Sequence, residues 1–167
     1  MFNTADIYDK HHERLQVCSL QFHNFGNQVC FSGKAATLRV FEDHTPVLKA
    51  VSEAGDQRVL VVDAAGSTRV GVMGDRLAAI AVANGWAGVI IHGVIRDSAA
   101  IGSLAIGVKA LGATARRSFQ PTPGEFGVAL SFGEVTIAPG DWIYADVDAI
   151  LIAAGPLEFS SDEEKAE

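Results

Sequence analysis

The sequence predicts an α/β fold: one layered domain with a mixed sheet and a β-rich final third. Three observations lead there. The apolar run Arg58-Val59-Leu60-Val61-Val62-Asp63 is followed by a helical pattern over 75–83 and a second apolar run over 87–91. That strand–helix–strand order gives a parallel pair joined by a right-handed crossover. After residue 104 the apolar runs are short and separated by turn residues. Helices therefore stop alternating with strands, which argues against a plain Rossmann layout. Finally, 167 residues suit one domain that buries a core without metal or disulfide staples.

The elements follow in order. Asn3 or Thr4 caps a short helix over 3–8, with Asp6 in its first turn. His11 and His12 follow in a polar segment; a pair of histidines suggests metal, but a solvated loop is the simpler reading. Residues 17–22 alternate like a half-buried strand. Gly26 and Gly33 punctuate the next stretch, where 29–31 can pair, and 36–41 read as a further strand. Thr45-Pro46 opens a helix that ends near Gly55. Glu42, Asp43 and His44 before it form either a polar helix entry or a second metal cluster at the mouth of a site.

The run 58–63 is a strand buried on both faces. Asp63 at its end is either functional or a cap on the Gly66 turn. Residues 68–72 are a short strand or the approach to the next helix, 75–83, which Asn84-Gly85 stops. Strands are expected over 87–91, 104–111, 126–131, 135–137, 142–146 and 149–152, with a positive patch at Arg116-Arg117. The domain covers 1–159. The charged segment from Ser160 reads as an acidic mobile tail, 160–167.

The net charge of −7 argues against a general nucleic-acid binder, which needs a basic face. It leaves room for a small anion, because one arginine can reverse the sign of a pocket. It also leaves room for a basic protein partner. Cys18 and Cys30 sit in apolar surroundings and match no zinc or redox spacing, as expected for buried thiols in a reducing compartment. There is no secretory leader pattern and no apolar run long enough to span a bilayer, so a cytoplasmic protein is expected.

The residues with chemical potential cluster in 74–97. Gly74 precedes a helix whose first turn is Asp75-Arg76-Leu77, and free N–H groups at such a start attract anions. Arg96 offers a forked donor for a carboxylate, and Asp97 a hard oxygen ligand for Mg²⁺ or Mn²⁺. If the crossover folds back, the helix start and the strand exit meet at one sheet edge. That set suits a small 2-oxo acid. Metal and Arg96 would grip its keto and carboxylate oxygens and stabilise an enolate once the next carbon–carbon bond breaks.

Nearly the whole chain resembles the RraA family, the regulators of ribonuclease activity that include the 4-hydroxy-4-methyl-2-oxoglutarate aldolases. The resemblance rests on Phe22-His23-Asn24-Phe25-Gly26, Arg39-Val40-Phe41-Glu42-Asp43, Val59-Leu60-Val61-Val62-Asp63, Asn84-Gly85-Trp86-Ala87-Gly88, Gly107-Val108-Lys109-Ala110-Leu111-Gly112 and Tyr144-Ala145-Asp146. It implies a layered β/β/α, swivelling-domain-like fold. The aldolase members are similar in carrying Asp, twenty residues, then Arg-Asp: here Asp75, Arg96 and Asp97. The resemblance implies a divalent metal on Asp97, substrate held by Arg96, and contacts from Gly74, Asp75, Arg76 and Leu77. It also gives Asp75 a role in holding a water on the metal.

The implied chemistry is cleavage of 4-hydroxy-4-methyl-2-oxoglutarate to two pyruvates, with oxaloacetate decarboxylation through the same enolate. Ala100 stands where the stronger aldolase pattern has an acid three residues after Asp97. The regulator branch, which inhibits ribonuclease E, can lack the Arg-Asp pair; binding to ribonuclease E is the alternative activity. A homotrimer, or a dimer of trimers, with sites near subunit boundaries is also implied. Older naming in the family as a menaquinone methyltransferase has no support in these residues. No glycine-rich loop with a following strand-end acid seats S-adenosylmethionine.

Overall fold

The computed structural model describes residues 1–158, so the expected acidic tail from Ser160 lies outside the described residues. In chain order the elements are α1 (Thr4–His11), a 3-10 turn (His12–Arg14), β1 (Leu15–Val17), β2 (His23–Asn24), β3 (Phe31–Arg39), α2 (Thr45–Val51), β4 (Val59–Asp63), α3 (Asp75–Ala83), β5 (Gly88–Ile95), α4 (Ser98–Ile101), β6 (Gly107–Ala113), β7 (Glu125–Phe126), β8 (Leu130–Phe132), β9 (Val135–Ile137), β10 (Trp142–Ala145) and β11 (Ile150–Ala153). The main sheet runs β1-β11-β10-β3-β4-β5-β6-β2, with β7 added beside β3. Its centre, β3 to β6, is parallel, and its flanks are antiparallel. β3 joins the two regimes: residues 31–34 pair with β10, and residues 35–39 pair with β4.

Alternate residues of a strand face opposite sides, and here both sides are covered. Leu60, Val62, Val89 and Ile91 face α2 and α3, which contribute Val47, Val51, Leu77, Ala78 and Ala81. Val59, Val61 and Ile90 face the other way, into a core completed by Leu130, Phe132, Val135 and Ile137 of the β8–β9 hairpin. The result is the expected layering of helices, central sheet and a second β layer. A third cluster packs Ile7 of α1 on Tyr144, Leu151 and Leu157.

Local chemistry explains the boundaries. The Asn3 side chain accepts from the N–H groups of Ala5 (2.8 Å) and Asp6 (3.3 Å), capping α1. The cap of α2 is His44, not Thr45, and the Asp43 carboxylate accepts from Thr45 N at 3.0 Å. Gly85, at φ +77°, ends α3 in the conformation that favours glycine. Gly88 and Gly107 begin β5 and β6 side by side, because the Phe31 ring occupies the space where a Cβ of either would lie.

Several expectations need correction. α1 runs on to His11 and a 3-10 turn takes in His12, so the histidine pair lies at a helix end rather than in a loop. Residues 17–22 do alternate in burial, yet only Leu15–Val17 forms a strand. The two strands expected around 29–31 and 36–41 are one strand, Phe31–Arg39, which runs through Gly33. The strand expected over 104–111 sits at Gly107–Ala113, and that over 126–131 is split into β7 and β8. Residues 68–72 contribute only a single bridge, Gly71 to Val94.

Candidate active site

β5 outlasts its neighbour β4, and that difference builds the site. β4 ends at Asp63, while β5 continues to Ile95 past an irregularity between Ile91 and Val94. Its far end takes a new partner, the approach to α3: Val72 N donates to Val94 O at 3.0 Å and Arg96 N to Met73 O at 2.8 Å. The start of α3 is thereby fixed beside the exit of β5, as the crossover argument expected.

Gly74, Asp75, Arg76, Leu77, Arg96 and Asp97 all line one cleft of about 210 Å³, together with His44, Gly71 and Arg117. Leu77 buries its side chain in the core under the helices, so its main chain is what it can offer a ligand. Asp97 adopts the left-handed conformation, φ +56° and ψ +41°, which aspartate tolerates better than most residues. Its Oδ2 accepts one long hydrogen bond, from Asp75 N at 3.4 Å. Asp75 Oδ1 accepts from Arg76 N at 2.8 Å. Two glycines make room for this. A Cβ at Gly74 would lie 2.7 Å from Asp97 Oδ2, and one at Gly71 would lie 2.5 Å from Arg96 Cγ.

The acidic cluster before α2 divides. Glu42 bonds Ser67 Oγ (2.8 Å) and Arg69 Nε (2.6 Å), and these partners hold its carboxyl below the usual range. Asp43 is buried. Burial pushes its carboxyl up, but bonds from the N–H and hydroxyl groups of Thr45 and Thr122 outweigh it and hold the group below its ordinary value. Both carboxylates are engaged by their own chain, and only His44 of the three lines the cleft. Asp63 accepts from Ala65 N (2.9 Å) and pairs with His92 Nδ1 (2.9 Å), which fits the turn-capping reading.

Arg117 and Gly71 were not among the residues singled out for the site. Arg117 belongs to the stretch 114–124, which carries no helix or strand and hence no periodic signal. Two ties hold that stretch: Gly71 N donates to Arg116 O at 2.9 Å, and Thr122 bonds Asp43.

The donor set can be tested against a metal. Among the described residues no group of three His, Cys, Asp or Glu side chains converges. The described residues therefore offer no closed zinc cage. An exposed Asp97 with Asp75 beside it fits Mg²⁺ or Mn²⁺, which bind through one or two carboxylates and leave positions for water and substrate.

The family model described as RraA-like, Aldolase/RraA, matches residues 4–152. The chain belongs to this family. A relative from Laribacter hongkongensis is 46% identical over 93% of this chain and 98% of its own, and bears the name "Putative 4-hydroxy-4-methyl-2-oxoglutarate aldolase". A solved RraA from Thermus thermophilis, titled an RNA-processing inhibitor, superposes with a TM-score of 0.91 at 37% identity, covering 96% of this chain and 98% of that one. A Geobacillus kaustophilus structure titled as an S-adenosylmethionine:2-dimethylmenaquinone methyltransferase also gives 0.91, at 47% identity, covering 93% and 97%. This RraA-like chain thus shares its fold with proteins that carry three different functional names. The cleft has to discriminate among them.

Proposed function

We propose that this protein is a divalent-metal-dependent lyase of 2-oxo acids. It would cleave 4-hydroxy-4-methyl-2-oxoglutarate to two pyruvates and decarboxylate oxaloacetate. The observation that carries the reading is the meeting of Asp97, Asp75 and Arg96 with the start of α3 in one small polar cleft. The name borne by the Laribacter relative supports the same reaction class. A methyltransferase fits this cleft less well, since an adenosyl cofactor needs a larger pocket with apolar walls.

In this reading Asp97 would hold Mg²⁺ or Mn²⁺, and Asp75 would hold a water beside it. The metal, when bound, supplies Lewis-acid polarisation of the 2-keto group. Arg96 grips the carboxylate and keto oxygens with its forked donors and offsets the charge that develops on the enolate. The helix start at Gly74 to Leu77 orients the same end of the substrate. Asp75 relays the proton of the C4 hydroxyl through a water. As that proton leaves, the C4 carbonyl forms, the C3–C4 bond breaks and its electrons pass into the enolate. A proton returned to C3 completes the second pyruvate. With oxaloacetate the C3–C4 bond breaks to release CO₂ and leaves the same enolate.

Pyruvate release from either substrate, with Mg²⁺ or Mn²⁺, is the test. Activity that disappears with a chelator and in Asp97→Ala supports the assignment. No turnover with either metal, or an unchanged rate in Asp97→Ala, ends it.

A second reading, a protein regulator that binds and inhibits ribonuclease E, is favoured by the likeness to the Thermus structure and by the −7 charge. It predicts association with ribonuclease E at low salt, where charge attraction is strongest. The same family reading assigns a homotrimer or a dimer of trimers, to be checked by light scattering. The exposed Phe41 and Phe119 side chains are candidates for burial in it.

A further inference from the structure

The cleft reverses the sign of the molecule. Against a net −7, its walls carry Arg76, Arg96 and Arg117 facing only Asp75 and Asp97. Arg39 and Arg69 elsewhere pair with Glu125 and Glu42, but none of the three cleft arginines forms an ion pair among the described residues. The lyase reading uses Arg96 for the pyruvyl end and leaves Arg117 without a role.

Arg117 is exposed, and its segment is tied to the cleft. The carbonyl before it, Arg116 O, accepts from Gly71 N at 2.9 Å, beside the Arg96 stem. Its guanidinium carbon sits 4.9 Å from the Phe119 ring centroid, and its Nε donates to Ser118 O at 3.2 Å. Both terminal nitrogens remain without acceptors among the described residues. With its Nε side engaged by its own segment, the guanidinium leaves its two terminal nitrogens, the fork, for a carboxylate. His44 lines the same cleft and adds a ring N–H donor.

We infer that Arg117, seconded by His44, reads the second carboxylate of the substrate, the one on the fragment that departs. Arg117 is then a specificity residue that selects 2-oxo dicarboxylates over 2-oxo monocarboxylates. This rests on the lyase reading above and adds the residue that sets its substrate class.

The experiment compares a probe that has the distal carboxylate with one that lacks it. KM and kcat for oxaloacetate, and the inhibition constant of pyruvate against it, are measured with Mg²⁺ for the wild type, Arg117→Gln and Arg117→Lys. Losing a hydrogen-bonded charge pair predicts an oxaloacetate KM about 10- to 100-fold higher in Arg117→Gln. The pyruvate inhibition constant should move less than about threefold, within the range of a lost surface contact. Arg117→Lys should recover part of the loss. An equal shift for both probes, or no shift for either, overturns the inference while leaving the lyase reading intact. A wild type that neither releases pyruvate from oxaloacetate nor exchanges the methyl protons of pyruvate overturns the lyase reading, and this inference with it.

Discussion

Asp146 and Asp97 are aspartates with opposite fates. Asp146, just after β10, is 6% exposed and accepts four hydrogen bonds: Thr4 N (2.7 Å), Thr4 Oγ1 (2.8 Å), Asp148 N (2.9 Å) and Ala149 N (3.2 Å). It fastens α1 to the turn between β10 and β11. Asp97 is exposed and accepts one long bond. The first carboxylate is fully used by the chain and belongs to stability. The second is held in an uncommon backbone conformation, has space cleared around it by glycine, and keeps most of its lone pairs for something else.

The largest effects should fall on opposite observables. Arg96→Ala should lower kcat by about 10²- to 10³-fold, the scale for losing a donor to a developing oxyanion. Its melting temperature should stay near that of the wild type. Asp146→Ala should do the reverse, costing about 3 kcal/mol in denaturant unfolding because buried donors lose their acceptor. Turnover per folded molecule should survive. If Asp146→Ala is as stable as the wild type, the contrast between the two regions breaks.

Gly74→Ala probes the cleared space. The added methyl must displace the Asp97 carboxylate, so activity should fall about 10- to 100-fold, as for a displaced catalytic group. Stability should change by less than about 1 kcal/mol, since Gly74 lies in extended backbone that alanine adopts. Normal activity in this variant would mean that the Asp97 position is not critical.

The smallest effect is in pH dependence. Asp43, Asp63 and Asp146 all have carboxyls held below the ordinary value. For Asp146, burial pushes up but the bonds from Thr4, Asp148 and Ala149 outweigh it. Groups with depressed folded values stabilise the protein above the unfolded value of about 3.9. That contribution disappears as pH falls through the folded values. Unfolding free energy should therefore be level from neutral pH to about pH 5 and decline below about pH 4, and Asp146→Asn should flatten the decline. An equally steep decline in that variant would remove Asp146 from the explanation.

The same contrast governs what could be read from the sequence. α3 was legible to the residue because its apolar positions repeat with helical spacing and Asn84-Gly85 stops them. β4 was legible because a strand covered on both faces is a continuous apolar run. The segment 17–22 misled because alternation reports burial, not a ladder partner: Cys18 is buried and Leu20 and Phe22 are half-buried, without a strand to pair along. Gly33 misled because it looks like punctuation. It sits inside β3 because a side chain there would collide with the Gln57 carbonyl. That Asp75, Arg96 and Asp97 meet at one sheet edge was legible, since a crossover returns a helix start to the next strand's exit. Arg117 was not, because it reaches the cleft through tertiary ties of a stretch without regular structure.

Binding of Mn²⁺, followed by electron paramagnetic resonance with oxalate as a mimic of the pyruvate enolate, asks directly whether Asp97 is kept open for a metal. The wild type should bind Mn²⁺ and show an altered spectrum with oxalate. Asp97→Ala should lose both signals, while Asp146→Asn keeps them. Equal Mn²⁺ binding in the wild type and Asp97→Ala would contradict the assignment of the metal to this cleft.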